Sequence, residues 1–298
     1  MKTSGSVGSV AELWRYPVKS MLGERLDQVT IGGRGVTGDR QYAVVDRSDG
    51  KVASAKNPAK WRRLLEIEAR FVDEPDGAAT TPVELRFPDG SSIRSDDPEV
   101  DSWLSRFTGR EVSLATNAAE GSVFEEVWPR EIEGLAPADF VASTTVTTDA
   151  GGDAISDLSL AMAAPPGTFF DLSAIHAITT STLAALRASE PAGDFDVRRY
   201  RPNIVISSDG EGFVENAWVG STVRLGESTV RIDLSTMRCV MTTLAQPGMA
   251  VDRATLRTIA RENRVEIPGL GVWACAGVYG TPVADGTVAV GTPVSLEQ

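Results

Sequence analysis

The chain has 298 residues, enough for two domains with a core each, and its hydrophobic (42%) and charged (23%) fractions are those of an ordinary globular protein. Forty-one acidic residues against 29 Lys and Arg leave a net charge of −12, the wrong sign for a nucleic-acid partner. Two cysteines and one histidine exclude a disulfide framework, a four-thiolate metal site and any multi-histidine metal site, and no stretch reaches the roughly 18 apolar residues of a membrane span, so the expectation is a cytoplasmic protein with no membrane partner.

In chain order, "WRYPVKS" comes first. Pro17 stops a central-strand ladder, so Lys19 and Ser20 sit at a strand end, either as a solvated loop or as an ammonium and a hydroxyl gripping an anion. In "GGRGVTGDRQYAVVD", four glycines precede Arg40 and then a strand. The order rules out a dinucleotide fingerprint, which needs a helix there, and leaves a flexible hairpin or a close backbone approach to a ligand with Arg40 as forked donor. "LEIEARFV" and "PVELRF" alternate with period two, placing Leu65, Ile67, Ala69 and Phe71, then Val83, Leu85 and Phe87, on buried faces; Pro88 to Gly90 supplies a turn. "DDPEVDSWLSRF" reads as a helix capped by Asp97 with Pro98 at its first position.

Residues from about 117 to 167 are rich in Gly, Ala, Pro, Thr and acidic residues with weak periodicity, the composition of a long connection or a partly ordered lid. "SAIHAITTSTLAALRA" contains the sole histidine, His176, and then a helix start at Thr179 and Thr180, where backbone N–H groups suit an anion. "VRRYRPNIVIS" packs Arg198, Arg199 and Arg201 beside Asn203, a site for a phosphate or charged heterocycle. "TVRIDL" puts Val230, Ile232 and Leu234 on one strand face. The pattern breaks at Ser235 and Thr236 in "STMRCVMTT", which suggests a bend presenting Cys239 either as a buried small hydrophobe or as a soft-metal ligand; Arg238, one residue away, need not touch the sulfur. "VDRATLRTIARENR" reads as a helix turning Leu256, Ile259 and Ala260 inward, and Cys275 as a packed thiol. Many short strands predict a mainly β chain with short helices, built as two β-rich domains, barrels or sandwiches, over residues 9–130 and 131–298.

"YPVKS", "GDR", "RPNIVIS", "RCVMTT" and the closing "GTVAVGTPV", in this order, resemble the MOSC-domain family, in the branch that adds an N-terminal β-barrel domain and includes the mitochondrial amidoxime-reducing component and bacterial reductases of N-hydroxylated compounds. The resemblance implies a molybdenum cofactor, a molybdopterin, between the two domains, with Cys239 as the one protein ligand to molybdenum and the catalytic residue. It implies that Lys19, Ser20, Arg40, Arg201 and Asn203 hold the pterin and its phosphate, with Arg238 close by, Thr179 at a hydroxyl position used by the family and His176 on the same wall. The implied activity is two-electron reduction of an N–OH group in a small-molecule substrate to N–H. Only Cys275 follows Cys239, so an iron–sulfur cluster of the type carried by some relatives is not expected, and electrons are expected from an external donor protein such as a flavoprotein, ferredoxin or cytochrome. Met237 stands where some relatives carry serine. A non-catalytic cofactor carrier and a sulfur-transfer protein are the alternatives.

Overall fold

The computed structural model describes residues 4–297. Seven strands close into a barrel: β1 (Ser4–Arg15), β2 (Ile175–Thr179), β3 (Ile204–Ser208), β4 (Thr222–Leu225), β5 (Ser228–Met237), β6 (Gly271–Ala284) and β7 (Pro293–Glu297), in the ring order β2-β3-β1-β7-β4-β5-β6 with β6 returning to β2. All neighbours are antiparallel except β2 and β3. Alternation along the strands sorts side chains to two faces. Ile175, Ala177, Ile204, Ile206 and Val223 fill the barrel, whereas Ile178 and Val205 point outward under the helices Thr180–Ser189 and Ala254–Glu262. β1 is thus built into a barrel otherwise drawn from residues beyond 174, and the strand Gln28–Gly32 likewise pairs with Gly286–Ala289.

The rest of the N-terminal half forms its own core. Val83–Arg86 pairs with Glu68–Phe71 and Ser92–Arg94, and Ala43–Asp46 pairs with Val112–Ala115. The helix Val100–Thr108 covers them with Val100 and Leu104. It begins at Val100, so Pro98 is not its first position as expected; Asp97 accepts from the Glu99 N–H at 2.8 Å just ahead of it, and no side chain caps the helix itself.

Four sequence expectations change. Leu65 is not on a strand face: Arg62–Glu66 is a 3-10 turn, so the adjacent Leu64 and Leu65 diverge into different cores, and Leu65 packs with Ala55, Cys239 and Met241. Leu234 does not share a face with Val230 and Ile232, because the register against β6 shifts between Ile232 and Leu234 and moves Leu234 to the helix side. The strand also runs on through Ser235 and Thr236 to Met237, with a second shift there in place of the expected break. The stretch 117–167 is no plain connection: Val123–Trp128, Ala154–Ser159 and Thr145–Thr148 form a three-stranded antiparallel sheet with a short helix, Ala138–Thr144. Its periodicity is unreadable because Glu125 and Glu126 are buried on opposite faces of the first strand, Glu125 held by Lys51, Lys60 and Asn57, Glu126 by Lys56. No helix among the described residues is long and apolar enough to cross a membrane.

Gly8 shows how tightly β1 sits in the barrel. Its φ is +139°, and a Cβ there would lie 1.8 Å from the Ser207 carbonyl oxygen of β3. Gly8→Ala is therefore expected to destabilise the fold by roughly 3 kcal/mol through strain and overpacking. Urea unfolding measures this, and an unchanged midpoint contradicts the pairing.

Candidate metal and cofactor site

Chain segments that leave barrel strands converge on one cavity. Lys19 and Ser20 follow β1, Arg201 and Asn203 precede β3, Arg238 and Cys239 follow β5, His176 is in β2, and Arg40 comes from the glycine-rich turn; all line it. Three of these residues are held in left-handed backbone conformations: Ser20 (φ 65°), Arg40 (47°) and Arg201 (55°). Ala161 is the other non-glycine residue with positive φ among those described. Such strain costs on the order of 1–3 kcal/mol per residue and persists where surroundings impose it, as at ligand clamps.

Asp39, whose side chain is fully buried, braces the segments that carry Arg40 and Arg201. Its Oδ1 accepts from the Tyr16 N–H at 2.7 Å, and its Oδ2 accepts from Asn203 Nδ2 at 2.9 Å and pairs with Arg40. Asn203 Oδ1 accepts in turn from the His176 N–H at 3.1 Å. Asn203 therefore braces the wall, with both ends of its amide engaged by protein.

Cys239 ends the strand run in extended backbone and opens a 3-10 turn, Val240–Thr243. Thr242 and Thr243 close that turn by donating their hydroxyls to the carbonyls of Cys239 (3.0 Å) and Val240 (2.7 Å). Burial pushes the thiol up from its ordinary value and Lys56 pulls it down, so it is a protonated thiol until a soft metal displaces the proton.

Charge in the cavity is lopsided. Lys19 pairs with Asp171, Lys56 with Glu126 (2.8 Å) and Asp171 (3.2 Å), and Arg40 with Asp39. Among the described residues, Arg201 and Arg238 have no carboxylate partner: Arg201 donates to the Met21 carbonyl at 2.7 Å and Arg238 to the Tyr200 carbonyl at 3.0 Å. Six cations, Lys19, Arg40, Lys56, Arg199, Arg201 and Arg238, thus line the cavity against one lining carboxylate, Asp171, inside a chain of net charge −12. Burial lowers Lys19. For Lys56 burial acts the same way but Asp171 and Glu126 outweigh it, raising Lys56 well above the usual lysine value. Burial would raise Asp171, yet Lys19 and Lys56 hold it below the carboxylate range.

Two expected contributors are engaged elsewhere. Thr179 is fully buried, does not line the cavity, and caps the helix Thr180–Ser189 by accepting from the Thr182 N–H at 3.1 Å. The anion at that helix start is the protein's own Glu215, which accepts from the hydroxyls of Thr179 and Thr182 at 2.7 Å each. The arginine triplet also divides. Arg198 is paired with Asp196, and Arg199 reaches the wall but donates to the carbonyls of Thr242, Leu244 and Ala250 and to Asp194, fastening the segment after Cys239. Of the three, only Arg201 keeps free charge for a ligand. Sequence reading passed over Lys56, Asp171 and Tyr279; none lies in a patterned motif, and their placement depends on the irregular segments 53–57 and 164–174 and on β6.

His176 stands against Arg238, with 3.4 Å between Nε2 and Nη1, and its Nδ1 is 3.4 Å from the Arg201 carbonyl, so the proton belongs on Nδ1. β6 carries Gly277, where φ is +84° and a Cβ would lie 2.5 Å from the Ala177 carbonyl oxygen and 2.7 Å from Nε2. Burial first, then Arg238, hold His176 well below 6.5. The folded imidazole stays neutral while the unfolded one takes a proton below about pH 6.5, so stability is complete above that pH and falls as pH drops toward the folded value, by about 1.4 kcal/mol per pH unit. His176→Gln should flatten the stability profile in that window. Because there is one histidine, NMR of the imidazole reads it directly, and titration near 6.5 in the native protein refutes the assignment.

Comparison with known proteins matches the chain in two stretches. The MOSC N-terminal beta barrel domain matches residues 7–111 and the MOSC domain matches residues 165–295. No curated protein matches. Among solved structures, the YuaD protein from Bacillus subtilis aligns over 100% of this chain and 99% of its own at 8% identity and a TM-score of 0.46. YiiM from Geobacillus stearothermophilus aligns over 42% of this chain and 55% of its own at 13% identity and a TM-score of 0.31. With both domains matched in order, the chain belongs to the MOSC family, whose C-terminal domain is associated with binding of the molybdenum cofactor.

Proposed function

We propose that the chain is a molybdenum-cofactor-dependent oxidoreductase that reduces N-hydroxylated small molecules with electrons from a separate donor protein. The observation that carries this reading is one soft donor, Cys239, in a cavity where Arg201 and Arg238 have no carboxylate partner. The residues fit such a group. Arg238 Nε is buried with no partner, a donor awaiting an acceptor, and the thiol suits a metal already held by sulfur. Cys239 would ligate the metal, and Lys19, Ser20, Arg40, Arg201 and Arg238 would receive the pterin and its phosphate. Asn203 and His176 would act from behind, by fixing the wall.

Bound there, the cofactor would supply the two-electron redox chemistry. Reduction of N–OH to N–H and water also consumes two protons. Lys56, ion-paired with Glu126 and Asp171, and Tyr279, its hydroxyl pushed up to about 12 by burial, line the cavity and are protonated at neutral pH. The glycine-rich turn bounds an adjoining cleft of about 580 Å³ that shares Arg40 with the cavity, room for the non-reacting part of a substrate.

Cys239→Ser should abolish reduction of a simple amidoxime by a chemically reduced donor while circular dichroism stays unchanged, because a hydroxyl is a poor ligand for a soft metal. Reduction at the parent rate means the ligand is misassigned, and no turnover by fully loaded parent protein favours a cofactor carrier. Arg201→Ala loses a charge-assisted contact of roughly 1.5–3 kcal/mol and should lower the molybdenum content of purified protein more than tenfold at limiting cofactor. Unchanged content removes Arg201 from the clamp.

A further inference from the structure

Arg40 and Arg201 both rest on one aromatic ring. The guanidinium carbons lie 4.4 Å and 4.3 Å from the centroid of Tyr16, a residue that does not itself line the cavity. Arg40 Nη2 also donates to the Arg201 carbonyl at 3.3 Å. Two like charges this close repel, and burial of Arg201 together with Arg40 brings Arg201 down to about 10. Only one carboxylate, Asp39, is bonded to either arginine side chain. A second carboxylate would relieve the repulsion but would also neutralise the pair and repel an anionic ligand. An aromatic face attracts cations through its quadrupole and carries no net charge, so it relieves the repulsion and leaves the cations available.

The ring is held to this place. The Tyr16 N–H is bonded to Asp39, and the Tyr16 carbonyl accepts from the Arg40 N–H at 2.8 Å. Trp14 stacks alongside, and Gly23 leaves the room: a Cβ there would be 2.4 Å from the ring. The phenol oxygen is buried with no partner, and burial pushes its proton affinity up, so the side chain acts as a neutral ring and not as a phenolate.

We propose that Tyr16 is a positioning residue whose ring holds Arg40 and Arg201 together as a clip for a dianionic phosphate monoester. This rests on the reading above only in taking the phosphate to belong to the cofactor; the clip itself is measurable without metal or turnover. The test replaces Tyr16 with phenylalanine and then with mono-, di- and trifluorinated phenylalanine, which keep the ring's shape and progressively weaken its negative face. Affinity of the cofactor-free full chain for inorganic phosphate is measured by calorimetry, with circular dichroism to show that each variant is folded. The expected result is stepwise weakening, about three- to thirtyfold from phenylalanine to the trifluorinated ring. A flat series overturns the role of Tyr16 while leaving a phosphate site in place. Parent protein that binds phosphate no more tightly than the Arg40→Gln, Arg201→Gln double variant overturns the clip as well. Neither outcome touches Cys239-dependent amidoxime reduction, which stands or falls by its own assay.

Discussion

One buried carboxylate holds the cavity wall together. Asp39 reaches the backbone of Tyr16 at the end of the first barrel strand, the side chain of Arg40 next to it, and the amide of Asn203 ahead of another barrel strand. Through Asn203 it reaches the backbone of His176. Four segments far apart in sequence are thereby fixed around a single group with no exposure of its side chain. A buried carboxylate is tolerated because each oxygen is met by donors, and leaving those donors unmet would cost several kcal/mol. The left-handed backbone of Arg40 and Arg201 is stable on the same account: the hydrogen bonds that Asp39 organises outweigh the local strain.

The cations that line the cavity are of two kinds. Lys19 and Lys56 are tied to Asp171 and Glu126 and shape the wall. Arg201 and Arg238 are bonded to carbonyl oxygens and laid against Tyr16 and Tyr200, contacts that satisfy a guanidinium without cancelling its charge. An acidic protein therefore keeps a local positive field where the thiol sits, and a ligand with a phosphate is drawn to the same place as a ligand with an affinity for sulfur.

The bulges of the strand Ser228–Met237 connect this chemistry to the fold. The register shift between Ile232 and Leu234 turns Leu234 to the helix side, and Cys239 lies beyond the end of the ladder, at the cavity instead of in the barrel. Leu65, from a 3-10 turn in the N-terminal half, packs into the small apolar cluster behind it, so the thiol is seated by both halves of the chain.

The sequence by itself determined the mainly β class, the helices with clear periodicity, and the short motifs that end at the cavity, because each is a local matter of period, turn chemistry or residue type. It misread Leu234, whose face depends on a bulge set by the partner strand, and residues 117–167, where ion-paired glutamates inside a strand erase the alternation. It also credited Thr179 and Arg199 with ligand contacts that belong to Glu215 and to backbone carbonyls. Only the tertiary structure decided which polar groups are already partnered and which remain free, since a hydrogen-bonding group looks the same in sequence whether or not its acceptor lies a hundred residues away.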